Sequence, residues 1–218
     1  VGSDVTTLDC SNQDFGPAEL MLISSIVIPV STALAEVNSS MNKCFDAQSA
    51  KAFSDAALKS NVKTLNFGPK TAFTVSIGVN SEEKTLDYSN QDFGPGELML
   101  ISSLVIPFSP AMTRIDISKN KIGDEAAQVF FEALRGTKIE TLVISEIGIG
   151  PASLTSLASV FFDMPALNEV RLDSNPITGS TYYNGRKRDG VAEYDCDPSG
   201  LVVLLEAMKS SVVSKLSI

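Results

Sequence analysis

Residues 7–31, TLDCSNQDFGPAELMLISSIVIPVS, recur at 85–109 as TLDYSNQDFGPGELMLISSLVIPFS. The two blocks lie 78 residues apart and differ at four of 25 positions: Cys10/Tyr88, Ala18/Gly96, Ile26/Leu104 and Val30/Phe108. Internal copying this close is the mark of a repeat architecture, in which the core grows by stacking similar units. The length of 218 residues therefore does not translate into a count of independent globular cores.

A finer unit is visible inside the copied block, most clearly from Met112 to Gly136. Met112, Ile115 and Ile117 are apolar at spacings of three and two, and Asn120 and Ile122 follow. The pattern predicts a short strand turning at an Asn. Asp124 is then expected to cap a helix with Ala126, Phe130 and Leu134 on one face, closed by Gly136. The next unit carries Ile139, Leu142 and Ile144, then a helix from Pro151; another begins at Leu167 with Val170, Leu172, Asn175 and Ile177. Aligning the central apolar residue of each strand gives Leu8, Val37, Leu65, Leu86, Ile115, Leu142, Val170 and Leu216. The steps are 29, 28, 21, 29, 27, 28 and 46 residues. The first three sum to the distance between the copied blocks, so the frame is self-consistent.

Two steps are anomalous. The 21-residue step after Leu65 lacks a helical pattern and is rich in β-formers, so it is expected to cross over without a helix between Phe73 and Glu83. Either it leaves a groove between the flanking helices, or Phe73 and Val75 fill the gap. The 46-residue step carries an insertion at about residues 178–197. Pro17, Pro95, Pro151 and Pro198 stand at expected helix starts, and Asp46, Asp124 and Asp197 suit N-cap positions. Leu201, Leu204, Leu205 and Met208 give the last helix an apolar face.

The segments MTRIDISKNKIGDEAAQVFFEAL and LNEVRLDSNPI resemble the LxxLxLxxNxI signature of leucine-rich repeats. The unit length, with a full helix after the Asn, is similar to the ribonuclease-inhibitor-like subtype. The resemblance implies an α/β fold: a horseshoe-like solenoid with a concave parallel sheet and convex helices. On that basis residues 1–218 are expected to form a single leucine-rich-repeat domain of about seven or eight units.

Composition narrows the chemistry. The chain contains no His, which excludes Ser-His-Asp and Cys-His catalysis and zinc sites of the Cys/His type. A net charge of −9 disfavours nucleic acid, whose binding needs Lys and Arg to neutralise phosphates. Cys10, Cys44 and Cys196 are far apart and odd in number. That fits reduced structural thiols and an intracellular setting, although one bridge plus a free thiol in a secreted chain stays open. The apolar run Leu20–Val30 is too short to span a bilayer. Val1-Gly2-Ser3 is not a native initiator sequence, so a removed leader or a tag remnant could have preceded it. No cofactor or metal is expected; Glu193, Asp195 and Asp197 are too few for an EF-hand loop.

Two candidate binding surfaces emerge. Side chains alternate along a strand, so residues next to the central apolar positions face the concave side. That column contains Asp9, Asp87, Asp116 and Arg171, with Ser11, Ser89, Ser118 and Asp173 two residues further on. It is short-chained, polar and mildly acidic. It fits a basic or hydrogen-bonding protein partner, but without aromatic anchors in the strip a solvated sheet face fits it better. The second surface is the insertion, where Tyr182, Tyr183, Arg186, Lys187, Arg188 and Tyr194 cluster. Aromatic and Arg side chains are the usual interface anchors, and loops interrupting a regular framework concentrate them; a merely tolerated insertion is the alternative reading.

These features point to a non-catalytic protein–protein recognition or assembly scaffold. Alternatives are a subunit of an enzyme complex, with active residues on the insertion, or an extracellular ligand-binding ectodomain. The first strand starts near Val5 and the last, VVSKLSI, ends the sequence. No capping sequence is visible at either side, so the sheet edges are expected to be open: they pack on a partner or on further chain, or they persist as short polar edges.

Overall fold

The computed structural model describes residues 4–179 and 196–218. They form α/β structure built from parallel strands and connecting helices, and they divide into two compact units. One comprises Val1–Glu83 with Asn90–Ala111; the other comprises Lys84–Ser89 with Met112–Ile218.

In the first unit, β1 (Thr7–Asp9), β2 (Glu36–Asn38) and β3 (Thr64–Phe67) are parallel, with Leu8, Val37 and Leu65 in register. The expected extended crossover is a strand, β4 (Phe73–Ser76), and it runs antiparallel to β3. The sheet is therefore mixed and ends at β4 rather than continuing as one uniform parallel ladder. Gly68 makes this hairpin possible: its φ is +114° and a Cβ would lie 2.3 Å from the Thr71 carbonyl oxygen.

The helices are α1 (Pro17–Leu22), α2 (Ile28–Val30), α3 (Ala47–Leu58) and α4 (Pro95–Leu100). Pro17 and Pro95 occupy the first helical position, where a missing N–H has no cost. Glu19 and Glu97 each reach back to the N–H of the preceding Gly, both at 2.9 Å, so each helix start satisfies one orphan donor. Both helices then widen into a π turn, Ile23–Val27 and Ile101–Val105. Ser24 and Ser102 within these turns donate back to the carbonyls of Met21 and Leu98, at 2.8 Å each. Such back-bonding weakens the regular helical ladder. Asp46 caps α3 by accepting the Ser49 N–H at 2.7 Å, as its position predicts. Ala50, Phe53 and Ala57 of α3 are buried, and α3 packs on both α1 and α4. Residues 73–83 contain no helix, as expected. There α4 packs on α3, Val75 is buried, and Phe73 contacts Phe67 and Phe93, with ring centroids among the three 5.5–6.3 Å apart.

The second unit carries β5 (Thr85–Asp87), β6 (Arg114–Asp116), β7 (Thr141–Val143), β8 (Glu169–Arg171) and β9 (Lys215–Ser217), all parallel. Leu86, Ile115, Leu142, Val170 and Leu216 form one register, and the middle three are fully buried. The helices α5 (Asp124–Ala133), α6 (Pro151–Val160) and α7 (Ser199–Lys209) follow β6, β7 and β8 in the chain. Phe130, Phe131, Leu154 and Leu157 close the core between helices and sheet.

Three local expectations are corrected by the structure. Asp124 is not the N-cap of α5; Gly123 is, with φ +75°, and Asp124 stands one residue inside. Its carboxylate instead accepts the Gly150 N–H at 2.8 Å, tying α5 to the start of α6. The start of α7 is displaced by one residue, so Pro198 is the N-cap; Asp197, just outside, accepts the Ser199 N–H at 3.0 Å. On α7 only Leu204 of the expected apolar face is fully buried, and Leu205 is exposed.

Candidate functional site: the polar face of the sheets

Side chains next to the buried central residues point away from the helices. In the second unit the register sets Asp87, Asp116, Val143, Arg171 and Ser217 side by side. One position earlier relative to the central residue lie Thr85, Arg114, Thr141, Glu169 and Lys215, again in register. The structure therefore brings together Asp87, Asp116, Arg171 and, just beyond its strand, Asp173. Asp9 sits at the equivalent position of the first unit, beside Asn38. Asp9, Asp87 and Arg171 are exposed; Asp116 and Asp173 are half-buried.

The repeated Asp-x-Ser pair has a structural explanation. Asp9, Asp87 and Asp116 each accept the N–H of the Ser two residues on, at 2.9, 2.9 and 3.0 Å. Asn38 does the same for Ser40 at 3.2 Å. The bond ends each strand and starts its turn, and it holds each Asp side chain in a defined direction. The Ser11 N–H keeps the Asp9 carboxyl below the ordinary carboxylate range. These groups are fixed acceptors.

The face of the second unit is not a uniform acidic strip. Arg114 pairs with Asp116 at 2.9 Å and Arg171 with Glu169 at 2.6 Å, and Lys215 approaches Glu169 at 4.0 Å. Asp173 accepts from Ser217 at 2.5 Å and from Ser145 at 3.1 Å, which lowers its pKa. Positive and negative groups thus alternate over the strands, with the small apolar Val143 between them. Arg114, Glu169 and Lys215 belong to this surface, and reading only the position after each central residue misses them. The period-two rule, applied to the position before it as well, finds them.

Asn side chains lock the turns behind this face. Asn120 donates to the Tyr88 carbonyl of the preceding turn at 2.9 Å and to Ile117 at 2.8 Å. Asn175 donates to Ile144 and Leu172, both at 2.8 Å, and accepts the N–H groups of Ile147 and Gly148. Asn42 does the same in the first unit, donating to Cys10 at 2.8 Å and accepting from Gln13 and Phe15. Its unit runs Leu34, Val37, Ser39, Asn42. Ser39 stands where the signature has an apolar residue, which hides the motif from the sequence. Each Asn thereby bonds two successive turns and fixes the spacing of the strands above.

Away from the sheet face, one carboxylate stands out. Glu97 is buried, and its two oxygens accept the N–H groups of Phe45 at 2.7 Å and Gly94 at 2.9 Å. Burial pushes its pKa up to about 7, partly opposed by the two N–H bonds. Nearby Cys44 is pushed up to about 11, chiefly by burial and then by the Glu97 charge. This pair stitches the start of α3 to α4, and a raised thiol pKa makes Cys44 a poor nucleophile. No disulfide joins the three cysteines to one another; Cys10 is buried and Cys196 exposed.

Tyr182, Tyr183, Arg186, Lys187, Arg188 and Tyr194, the expected anchors of the insertion, lie outside the described residues. Among the described residues no helix is long and apolar enough to cross a membrane.

A scan against protein-family models gives no match. A search of curated proteins finds no similar sequence. Among solved structures, an internalin from Listeria monocytogenes is similar to this chain at 11% sequence identity, with a TM-score of 0.31. The match covers 86% of this chain and 48% of the internalin, so the chain spans about half the length of that protein. A likeness this distant carries no argument about function.

Proposed function

We propose that this chain is a leucine-rich-repeat solenoid of the ribonuclease-inhibitor-like type that recognises a protein partner without catalysis, through the polar face of its sheets. One observation carries the proposal: successive parallel strands hold Asp87, Asp116 and Arg171 in a fixed row on the face opposite the helices. Local bonds orient the carboxylates before any partner arrives, which reduces the ordering cost of binding. Mixed charge with small side chains favours a protein partner of complementary pattern, and the net charge of −9 works against nucleic acid.

The test is capture of partners from the native source on immobilised chain, read by mass spectrometry. Asp87→Lys with Asp116→Lys should release the captured protein, and added salt should weaken its binding. Combined replacement of Tyr182, Tyr183 and Arg186 by Ala measures the insertion separately. Retention of the partner by the Asp variants, with loss in the Tyr/Arg variant, would move the site from the sheet to the insertion. Turnover of a substrate by the captured complex that is lost on changing a single carboxylate or Tyr of this chain would overturn the non-catalytic assignment.

A further inference from the structure

Glu97 is the only ionisable residue from Pro95 to Phe108, and it is 1% exposed. Its Oε1 accepts the N–H of Phe45, the residue just before the cap of α3, at 2.7 Å. Its Oε2 accepts the N–H of Gly94, the cap of α4, at 2.9 Å. One carboxyl group thus joins the starts of two helices within the first unit. The joint is close: a Cβ on Gly96 would lie 2.3 Å from the Phe45 carbonyl oxygen, and the Phe45 ring meets Phe53 of α3 edge-on at 5.5 Å.

Neither protonation state suits this place fully. The carboxylate satisfies both N–H donors, but it is a buried charge, and among the described residues no basic side chain pairs with it. The neutral acid avoids that cost, but its proton then lies among donors and one N–H bond is weakened. The ionisable groups around the joint offer no cation. Cys44, next to Phe45, stays a thiol, because burial and the Glu97 charge push it up to about 11. Asp92, which also acts on Cys44, is acidic. On α3, Asp46 is held by Ser49, and Lys51 is exposed and paired with Asp55; Lys59 stands at the opposite end of the helix, as its C-cap. Glu19 shows the same residue without the joint: it is exposed and bonds Gly16.

We propose that Glu97 is a pH-sensitive latch, which closes α4 on α3 when protonated and lets α4 part from α3 when ionised. Parting uncovers Leu100, which is fully buried, whereas its copy Leu22 is 56% exposed. The sign follows from the burial. In the closed joint the carboxyl is pushed up to about 7; released to solvent it returns to its ordinary 4.5. The closed form therefore binds the proton more tightly, and the latch is tightest below pH 4.5. Between pH 4.5 and pH 7 the opening equilibrium rises tenfold per pH unit, on the order of 300-fold in all, and above pH 7 it levels off.

Hydrogen–deuterium exchange of the 218-residue chain from pH 5 to pH 8, corrected for the exchange rate of free peptide, tests it. Protection of residues 98–105 should fall about tenfold per pH unit up to pH 7 and then stay level. Residues 20–27, the matching stretch of the first copy, should keep constant protection, because Glu19 already titrates below this range. Glu97→Gln, which cannot ionise, should abolish the pH dependence at 98–105. If that variant loses its circular dichroism, the two stretches of the unaltered chain decide the matter alone. Constant protection at 98–105 would overturn the proposal, as would a folded Glu97→Gln variant that keeps the pH dependence. Equal changes at 20–27 and 98–105 would also overturn it, since they would mark opening of the whole unit rather than release of α4.

Discussion

Glu19 and Glu97 occupy the same place in the duplicated block, yet they live in opposite surroundings. Both accept an N–H from the Gly that starts their helix, at 2.9 Å. Glu19 is exposed, and that bond lowers its pKa; Glu97 is buried under the start of α3, and desolvation raises its pKa to about 7. The cause is position within the stack. α3 packs between the two helices and touches a different side of each, so identical residues become core in one copy and surface in the other. One of the four differences between the copies answers this directly: Gly96 removes the Cβ that would strike Phe45, whereas exposed Ala18 has no such constraint.

The comparison can be broken most forcefully by truncating the shared leucine. Leu100→Ala should destabilise the first unit by about 2–5 kcal/mol, the usual cost of a cavity at a fully buried leucine. Leu22→Ala should change stability by less than about 0.5 kcal/mol, as expected at an exposed site. Equal losses in urea melts would show that α1 and α4 share one environment.

The glutamates come next, and their effect depends on pH. Glu97 has a folded pKa above its ordinary value of 4.5, so the folded state holds the proton more tightly than the unfolded one. Its contribution is most favourable below about pH 4.5 and is lost as pH rises through about 7, with a span on the order of 3 kcal/mol. Glu97→Gln should flatten this part of the stability–pH curve. The folded pKa of Glu19 is depressed, so its small contribution has the opposite sign and is lost on acidification. Glu19→Gln should leave the slope between pH 4.5 and pH 7 intact.

Exchanging the small residues sharpens the picture further. Gly96→Ala should destabilise by about 1–3 kcal/mol, because the new Cβ meets backbone rather than a flexible side chain. Ala18→Gly should cost no more than about 1 kcal/mol, the difference in helix propensity. Thermal melts of the pair decide it, and a harmless Gly96→Ala would mean that α4 sits further from α3 than the 2.3 Å approach to Phe45 requires.

Much of this organisation is legible in the sequence, because a strand's central apolar residue recurs at nearly constant spacing. The eight central positions fall into register within their sheets, and the absence of a helix in residues 73–83 follows from the shortened step. What escapes is what tertiary contact decides. A run rich in β-formers does not say that it will turn back antiparallel on β3, nor that α4 will then close on α3. Asp124 looks like a cap, but the positive φ of Gly123 moves the helix start and frees the carboxylate to hold the next helix. Asn42 is hidden because Ser39 breaks the apolar pattern around it. On the sheet face the Asp-x-Ser pairs are visible in the sequence; their local hydrogen bonds, and the Arg114, Glu169 and Lys215 charges among them, become visible only with the register.

The most direct measurement is an NMR titration of the side-chain carboxyl carbons of Glu19 and Glu97 in one sample. If one repeated sequence is placed in two environments by α3, Glu97 titrates near pH 7 and Glu19 below the ordinary glutamate range. Matching midpoints for the two residues would contradict the account.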